Sequence, residues 1–207
     1  MSDKTVFVVD DDEIVRDSLK ALLESDGHSV RTFESARAVL SDPGLADAGC
    51  LVVDIRMPDM DGLTLQEELG RTQNGLPVIV VTGHGDVPLA VRAMKAGALD
   101  FLEKPFDGER MLDSVRRALV VRQQAHDRNE ETRKAQSRVA LLTARERQVL
   151  EHLVAGRPNK LIAYELDISP RTVEIHRARV MEKMQARSLS DVVRVALAAG
   201  VVPTIDL

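Results

Sequence analysis

Short apolar runs alternate with segments of helical period along the first 120 residues of the chain. A parallel sheet covered by helices on both faces produces this alternation, because a crossover helix joins each strand to the next. The pattern predicts a doubly wound α/β domain, a five-stranded parallel sheet in the flavodoxin-like order. The predicted strands are TVFVV, SVRTF, CLVVD, PVIVV and ALDFL, and the predicted helices span 13–26, 35–41, 63–71, 87–96 and 107–121. SVRTF and ALDFL carry polar residues and are predicted to be peripheral, whereas the other three strands are predicted to be central.

The segment that follows lacks an apolar face, since two alanines are the only apolar residues between positions 122 and 138. Such a segment cannot bury a surface of its own. We therefore predict a linker over 122–140, either a helical extension or a disordered stretch. It would separate a first domain at 1–121 from a second domain at 141–207.

Capping signals predict four helices after the linker. Thr143 with Glu146 forms a capping box, and Ser169 before Pro170 is a strong helix start. The short LDIS connection is typical of a helix-turn-helix, whose second helix enters the major groove of DNA. The pattern predicts a small all-α, four-helix domain. The residues predicted to face its core are Leu161, Ile162 and Leu166 on the second helix, and Val173, Val180 and Met184 on the third.

The composition is that of a soluble globular protein, with 44% hydrophobic and 29% charged residues. No apolar run approaches the roughly 20 residues of a membrane helix, and the first residues lack the features of an export signal. We therefore expect a cytoplasmic protein. The net charge is −8 over residues 1–124 and +3 over residues 125–207, which favours an acidic module joined to one that approaches a polyanion.

Polar side chains gather at the carboxyl edge of the predicted sheet, where open α/β sheets bind their ligands. Clustered carboxylates repel one another, and a hard cation, preferably Mg²⁺, relieves that repulsion. With an ammonium and a hydroxyl nearby, the acid after the third strand can attack phosphorus in line and become an acyl phosphate. The residues that follow the strands are Asp10, Asp11 and Asp12, then Asp54, Thr82 and Lys104.

Each of these acids also has a simpler interpretation, since an Asp after a strand routinely caps the next helix. We accept that interpretation for Asp12. For the others we prefer the metal and phosphoryl site, because the acids share one rim with a threonine and a lysine. The MPDMDG segment is interpreted as a turn ending at Gly62, so Asp59 and Asp61 are not assigned to the metal.

Four motifs in this order resemble a known family. The acidic pair at positions 10 and 11 and the segments DIRMPDMDG, VTGHGD and FLEKPF resemble the receiver domain of two-component response regulators over residues 4–122. The segment LTARERQVLEHLVAGRPNKLIAYELDISPRTVEIHRARVMEKM resembles the LuxR-type helix-turn-helix. The combination is similar to the FixJ/NarL family, which implies a flavodoxin-like (CheY-like) receiver followed by a DNA-binding domain.

The resemblance implies a phosphoacceptor and its cofactor. Asp54 would accept the phosphoryl group, and Lys104 would be the charge partner of that group. Mg²⁺ would be held by Asp10, Asp11, Asp54 and the backbone carbonyl of Arg56. The protein would not be an enzyme, apart from Mg²⁺-dependent self-phosphorylation from a donor and self-dephosphorylation.

The resemblance also implies a switch that ends in a homodimer. Thr82 would be the switch hydroxyl that moves to the phosphoryl group. Phe101 stands where many relatives carry Tyr, so it reports the state only by burying or exposing its ring. The fourth helix, fifth strand and fifth helix would then pair two receivers, and part of the last helix would pair output domains, unless that surface packs within one domain. The expected receiver contacts are Val91, Met94, Lys95, Leu112 and Arg116.

The third helix of the output domain is the predicted recognition helix. One stripe of it faces away from the core and is predicted to meet base edges, and a second set is placed for phosphates. The alternative is a solvated basic face, and His176 is equally compatible with a hydrogen bond at the edge of the core. The predicted base contacts are Arg171, Glu174, Ile175 and Ala178, and the predicted phosphate contacts are Lys160, Thr172, His176, Arg177, Arg179 and Lys183.

The implied partners are a sensor histidine kinase as phosphodonor, promoter DNA and RNA polymerase. Residues 82–106 are so similar to rhizobial regulators of nitrogen-fixation genes that activation of those genes and an oxygen-sensing, FixL-type kinase are expected. Two other functions are weighed against this one. A Mg²⁺-dependent aspartyl phosphatase would turn over small phosphate esters, and a constitutive DNA-binding protein would ignore Mg²⁺ and phosphodonors.

Overall fold

The computed structural model describes residues 5–71, 75–83 and 87–202. The chain divides into two compact units, Met1–Ala125 and His126–Leu207, and each is described by itself. None of the helices in the described ranges combines the length and the apolar character that crossing a membrane requires.

The first unit is a five-stranded parallel sheet in the order β2-β1-β3-β4-β5. The predicted flavodoxin-like order is confirmed, and the two polar strands, β2 and β5, are at the edges. A short 3-10 helix, Pro43–Asp47, precedes β3. The strands are β1 Val6–Val9, β2 Val30–Phe33, β3 Cys50–Asp54, β4 Val78–Thr82 and β5 Asp100–Glu103, and the helices are α1 Glu13–Ser25, α2 Ala36–Leu40, α3 Gly62–Arg71, α4 Val87–Lys95 and α5 Gly108–Ala140.

Successive side chains of the central strands point to opposite faces of the sheet, so they pack into two hydrophobic cores, one on each face. Phe7 and Val9 pack with the buried side chains of α2, α3 and α4. Val6 and Val8 pack with the buried side chains of α1 and α5. Because the central strands are covered on both faces, they can be apolar throughout, and polar side chains are left for the sheet edge where the strands end.

The second unit consists of the last turns of α5 and four further helices, α6 Ala144–Val154, α7 Asn159–Glu165, α8 Pro170–Lys183 and α9 Leu189–Ala198. The capping box at Thr143 is complete, with hydrogen bonds in both directions between Thr143 and Glu146. Ser169 caps α8 and Ser188 caps α9 through their side-chain oxygens. Val173, Val180 and Met184 are fully buried, as predicted.

Two details of the second unit differ from the sequence predictions. Leu161 does not face the core, because 40% of it is exposed, and Ala163 takes the inward place beside Ile162. The segment 122–140 continues α5 as a helix, which is one of the two predicted forms, but it also buries a surface, because Ala135 in its last turns lies in the core of this unit. An alanine can pack closely against a neighbouring helix despite its small apolar area, which is why composition alone did not mark it as core.

Candidate functional site

Three buried polar residues lie where neighbouring strands end. Asp10 follows β1 and is 2% exposed, Asp54 ends β3 and is 7% exposed, and Thr82 ends β4 with no exposure. The parallel register pairs Val9 with Val53 and Asp54 with Val81, so these strand ends lie at the same edge of the sheet. The predicted convergence of these side chains is therefore a feature of the fold.

Lys104 bridges the two buried carboxylates. Its Nζ donates to Asp10 Oδ2 at 2.6 Å and to Asp54 Oδ1 at 2.8 Å. Burial raises the pKa of Asp10 above its ordinary value, although hydrogen bonds from Lys104 and Asp12 oppose that rise. Burial lowers the pKa of the Lys104 ammonium, but its bonds to both carboxylates outweigh burial and raise that pKa. The ammonium therefore stays charged and compensates two buried acids.

Backbone amides and one arginine hold the remaining atoms of the acids in place. Asp54 Oδ2 accepts from the Arg56 N–H at 2.5 Å, and Asp10 Oδ1 accepts from the Asp12 N–H at 3.0 Å. Arg16 Nη1 donates to the Asp10 carbonyl at 2.7 Å, a contact that no sequence pattern indicated. Asp12 Oδ1 accepts from the Ile14 N–H at 2.9 Å, which confirms Asp12 as the cap of α1.

The oxygens of the pocket fit a hard cation in their chemistry. Asp10 and Asp54 offer carboxylates, and the exposed Asp11 follows Asp10 in sequence, while the Arg56 carbonyl stays a predicted ligand. Within residues 5–71, 75–83 and 87–202, no three His, Cys, Asp or Glu side chains are grouped tightly enough to hold a metal. The Lys104 ammonium joins the two buried carboxylates in this structure.

Gly62 lets α3 begin directly against the strand that carries Asp54. The Gly62 N–H donates to the Ile55 carbonyl at 3.0 Å, and a Cβ on Gly62 would lie 2.3 Å from the Asp54 carbonyl oxygen. No other residue fits such a contact without a backbone shift. Sequence reasoning recognised Gly62 only as the end of a turn, because a close backbone approach leaves no pattern in the sequence.

The predicted switch residues differ in their surroundings. Thr82 is fully buried, and its carbonyl accepts from the Lys104 N–H at 2.8 Å. Phe101, on the edge strand β5, is half-buried and packs against the core under α3 and α4. Residues 84–86 of the VTGHGD motif lie outside the described residues.

The predicted receiver contacts divide into exposed and buried residues. Val91, Met94 and Lys95 on α4 are exposed, as a docking surface requires. Leu112 is buried in the core beneath α1 and α5, so its prediction as a surface contact is wrong. Arg116 is exposed but is ion-paired with Asp26 at 2.7 Å. Met111, Leu112 and Val115 belong to one apolar stripe at helical spacing, and that stripe packs into the core.

A second feature of the receiver is an apolar groove beside the acid pocket. It has a volume of about 350 Å³ and lies between α1 and the segment that follows β5. Ile14, at its mouth, is 78% exposed. Lys104 lines both this groove and the acid pocket, so the two adjoin. The other lining residues are Val15, Ser18, Leu19, Leu22, Pro105, Phe106 and Gly108.

The recognition helix α8 presents most of the predicted DNA-contact residues to solvent. Arg171, Glu174, Ile175, Ala178 and Arg179 are exposed on α8, and Lys160 is exposed on α7. Thr172 is half-buried, and its hydroxyl is 2.8 Å from that of Ser169 at the start of the helix.

Three of the predicted phosphate contacts have other environments. Lys183 Nζ donates to the buried Glu146 Oε2 at 2.6 Å, so in this structure Lys183 is paired within its own domain, and its contact with phosphate stays a prediction. Arg177 is half-buried, and its Nη1 donates to Asn159 Oδ1. His176 Nδ1 is buried and has no hydrogen-bond partner among the described residues. Charge and spacing cannot identify the partners of Lys183 and Arg177, because each partner lies on another helix.

Acid should lower the stability of the second unit through Glu146. Hydrogen bonds from Lys183 and Thr143 lower the pKa of Glu146 from 4.5 to about 2. A lowered pKa contributes stability that is present above pH 4.5 and is lost as the pH falls towards 2. Glu146→Gln should cost about 2 kcal/mol at neutral pH, because the glutamine keeps an acceptor for the Thr143 N–H but loses the charge that is paired with Lys183. Urea unfolding between pH 2.5 and 7, followed through Tyr164 fluorescence, should show a weaker acid dependence in the variant; an unchanged dependence would contradict the assignment.

Comparisons with known proteins agree with this geometry. The model of the response regulator receiver domain matches residues 6–116, and that of the bacterial regulatory proteins of the luxR family matches residues 140–196. The chain is 50% identical to the transcriptional regulatory protein FixJ of Rhizobium meliloti (strain 1021) over 204 residues, which is 99% of this chain and 100% of that protein. It is 54% identical to FixJ of Azorhizobium caulinodans over 202 residues, 97% of this chain and 95% of that protein.

A solved structure agrees over the same span. The response regulator StyR matches with a TM-score of 0.83 and 41% identity, and the match covers 95% of this chain and 99% of StyR. The family resemblance and the fold class expected from the sequence are both confirmed.

Proposed function

Because the chain belongs to the response regulators that join a receiver domain to a LuxR-type DNA-binding domain, we propose that Asp54 is the residue through which phosphorylation controls it. It is a phosphorylation-activated transcriptional regulator. The observation that carries the assignment is the pair of contacts from Lys104 to Asp54 and Asp10. Asp54 ends β3, accepts from the ammonium, and is paired in register with Val81, the residue before the buried Thr82.

The step that we assign to Asp54 is a transfer of a phosphoryl group. A carboxylate oxygen of Asp54 attacks phosphorus, the new O–P bond forms, and the bond to the donor's leaving group breaks and leaves its electron pair there. Lys104 is within hydrogen-bonding distance of Asp54 and offsets the negative charge that the phosphoryl oxygens add. Hydrolysis of the acyl phosphate by water restores the carboxylate.

We propose that the pocket binds Mg²⁺ when phosphorylation occurs, through Asp10, Asp11, Asp54 and the Arg56 carbonyl. The fit of these oxygens to a hard cation supports the proposal. When bound, the ion would supply positive charge to the phosphoryl oxygens. In this structure the Lys104 ammonium compensates both carboxylates. With Mg²⁺ bound, Lys104 would release part of this contact, because the ion would share the compensation.

We propose that phosphorylation draws Thr82 towards Asp54 and shifts Phe101, which changes the surface formed by α4, β5 and α5. The exposed Val91 and Met94 make α4 suited to pairing with a second copy of the receiver. A phosphorylated homodimer would bring two output domains to one promoter, where Arg171, Arg179 and Lys160 are free to reach DNA from exposed positions.

The groove beside Lys104 is a suitable docking site for the kinase that donates the phosphoryl group. Its apolar lining adjoins the acid pocket, so a helix bound there would place a phosphohistidine near Asp54. Small donors such as acetyl phosphate have no need of this surface. The two kinds of donor can therefore be separated by mutation.

Ile14→Ser should slow transfer from the cognate kinase about tenfold, because an apolar anchor of the interface is lost. Phosphorylation by acetyl phosphate should be unchanged, since Ile14 does not contact Asp54. Val120→Ser is the control, because it also replaces an exposed aliphatic side chain by serine but lies outside the groove. Equal slowing of both donors by Ile14→Ser would contradict docking at the groove.

The resemblance to FixJ supports more specific proposals. We propose that the kinase is an oxygen-sensing, FixL-type protein, and that the regulator activates nitrogen-fixation genes through RNA polymerase in the cytoplasm, where promoter DNA is found. Transfer from a purified kinase of this type, compared in air and without oxygen, tests the first of these proposals.

The central proposal is tested with the wild-type chain. Acetyl phosphate with Mg²⁺ should add one phosphoryl group at Asp54, increase the oligomeric mass and raise affinity for promoter DNA. A constitutive DNA-binding protein would bind equally well without the donor. An aspartyl phosphatase would instead turn over phosphate esters without any change in DNA affinity.

A further inference from the structure

An ion pair between a buried carboxylate and a partly exposed lysine joins the first helix of the output unit to the recognition helix. Glu146, in the first turn of α6, accepts through Oε2 from the Thr143 N–H at 2.9 Å and from Lys183 Nζ at 2.6 Å. Lys183 is the last residue of α8. The pair therefore ties the C-terminal end of the recognition helix to the N-terminal end of α6.

Other residues supply the apolar packing of α8. Val173, Val180 and Met184 fill the core with no exposed surface. An ion pair at a buried carboxylate adds little net stability compared with apolar residues of the same size, although removing one partner alone is destabilising. What it adds is geometry, because a buried carboxylate is satisfied only when its donors lie in the correct directions. Glu146 thus restricts the rotation and axial position of α8.

The same contact changes the charge that α8 presents to a ligand. Lys183 is neutralised by a carboxylate of its own domain, whereas Arg179, one turn earlier on the helix, is exposed. A lysine paired in this way contributes no counterion release when DNA binds, in contrast to an exposed arginine that meets phosphate. Substitutions of Lys183 and Arg179 should therefore change the salt dependence of DNA affinity differently.

We propose that Glu146 is a positioning residue for DNA recognition: through Lys183 it fixes the pose of α8 and withholds that lysine from the phosphates. The inference rests on the proposed function, since it requires that α8 bind DNA. It concerns how specifically the helix reads bases rather than whether it binds.

The test uses the full-length, phosphorylated protein and two duplexes of equal length. One is selected by the wild-type protein from a randomised pool, and the other is a shuffled version of it. Glu146→Gln and Lys183→Gln should each lower the preference for the selected duplex about tenfold, while affinity for the shuffled duplex falls far less. The double variant should be no worse than either single variant, because both remove one interaction. Lys183→Arg should restore most of the preference.

Salt dependence separates this role from direct contact with phosphate. Lys183→Gln should leave the slope of log affinity against log salt unchanged, whereas Arg179→Gln should reduce it by about 0.9. A comparable reduction in Lys183→Gln would overturn the proposal, because Lys183 would then contact phosphate itself. Equal losses on both duplexes, in step with the folded fraction measured by circular dichroism, would also overturn it in favour of a structural role. If Arg179→Gln has no effect on any duplex, the failure lies in the proposed DNA-binding function of α8.

Discussion

Asp54→Asn is expected to abolish phosphorylation and the donor-dependent gain in DNA affinity. An amide keeps the shape of the carboxylate and can still accept a hydrogen bond from Lys104 or from the Arg56 N–H. It lacks the anionic oxygen that attacks phosphorus. The receiver should therefore fold normally and remain in its unphosphorylated state whatever the donor concentration.

The measurement is intact-mass spectrometry after incubation with acetyl phosphate and Mg²⁺, with DNA affinity measured on the same samples. Asp12→Asn is the matched control, since it removes the same charge two residues from Asp10, and Asn is as good a helix cap as Asp. The control should accept one phosphoryl group. A phosphoryl group on Asp54→Asn, or a normal DNA response without it, would show that another residue is the acceptor.

Gly62→Ala is expected to disrupt the pocket without touching any of its polar side chains. The new Cβ would lie 2.3 Å from the Asp54 carbonyl oxygen and 3.1 Å from Ile55 Cα, both of them backbone atoms that cannot rotate away. Either α3 or the end of β3 must shift, at a cost of about 3 kcal/mol. Asp54 moves with its backbone, so the rate of phosphorylation should fall as well.

Gly70→Ala is the matched control, because it lies in the same helix and a Cβ there meets no atom within 4 Å. Alanine favours helix over glycine, so this variant should be at least as stable as wild type. The chain has no Trp and its single Tyr lies in the second unit, so amide hydrogen exchange in β3 is the suitable measurement. Unchanged exchange and phosphorylation in Gly62→Ala would show that the close approach is not required.

The acid pocket was predictable because it follows from topology. Parallel strands end at one edge of the sheet, and the residues after the apolar runs are therefore brought together whatever the details of packing. Asp10, Asp54 and Lys104 meet for this reason.

The sequence by itself determined the elements, their order in the sheet, the helix caps at Asp12, Thr143 and Ser169, and the edge at which chemistry occurs. These are consequences of local periodicity and hydrogen bonding, which a few neighbouring residues specify. Tertiary structure alone decided that Gly62 lies against Asp54, that Ala135 packs in the core of the second unit, and that Lys183 pairs with Glu146. Each of these depends on the rotation of one helix relative to another, and helices are placed by the packing of their whole surface rather than by the pattern of any single segment.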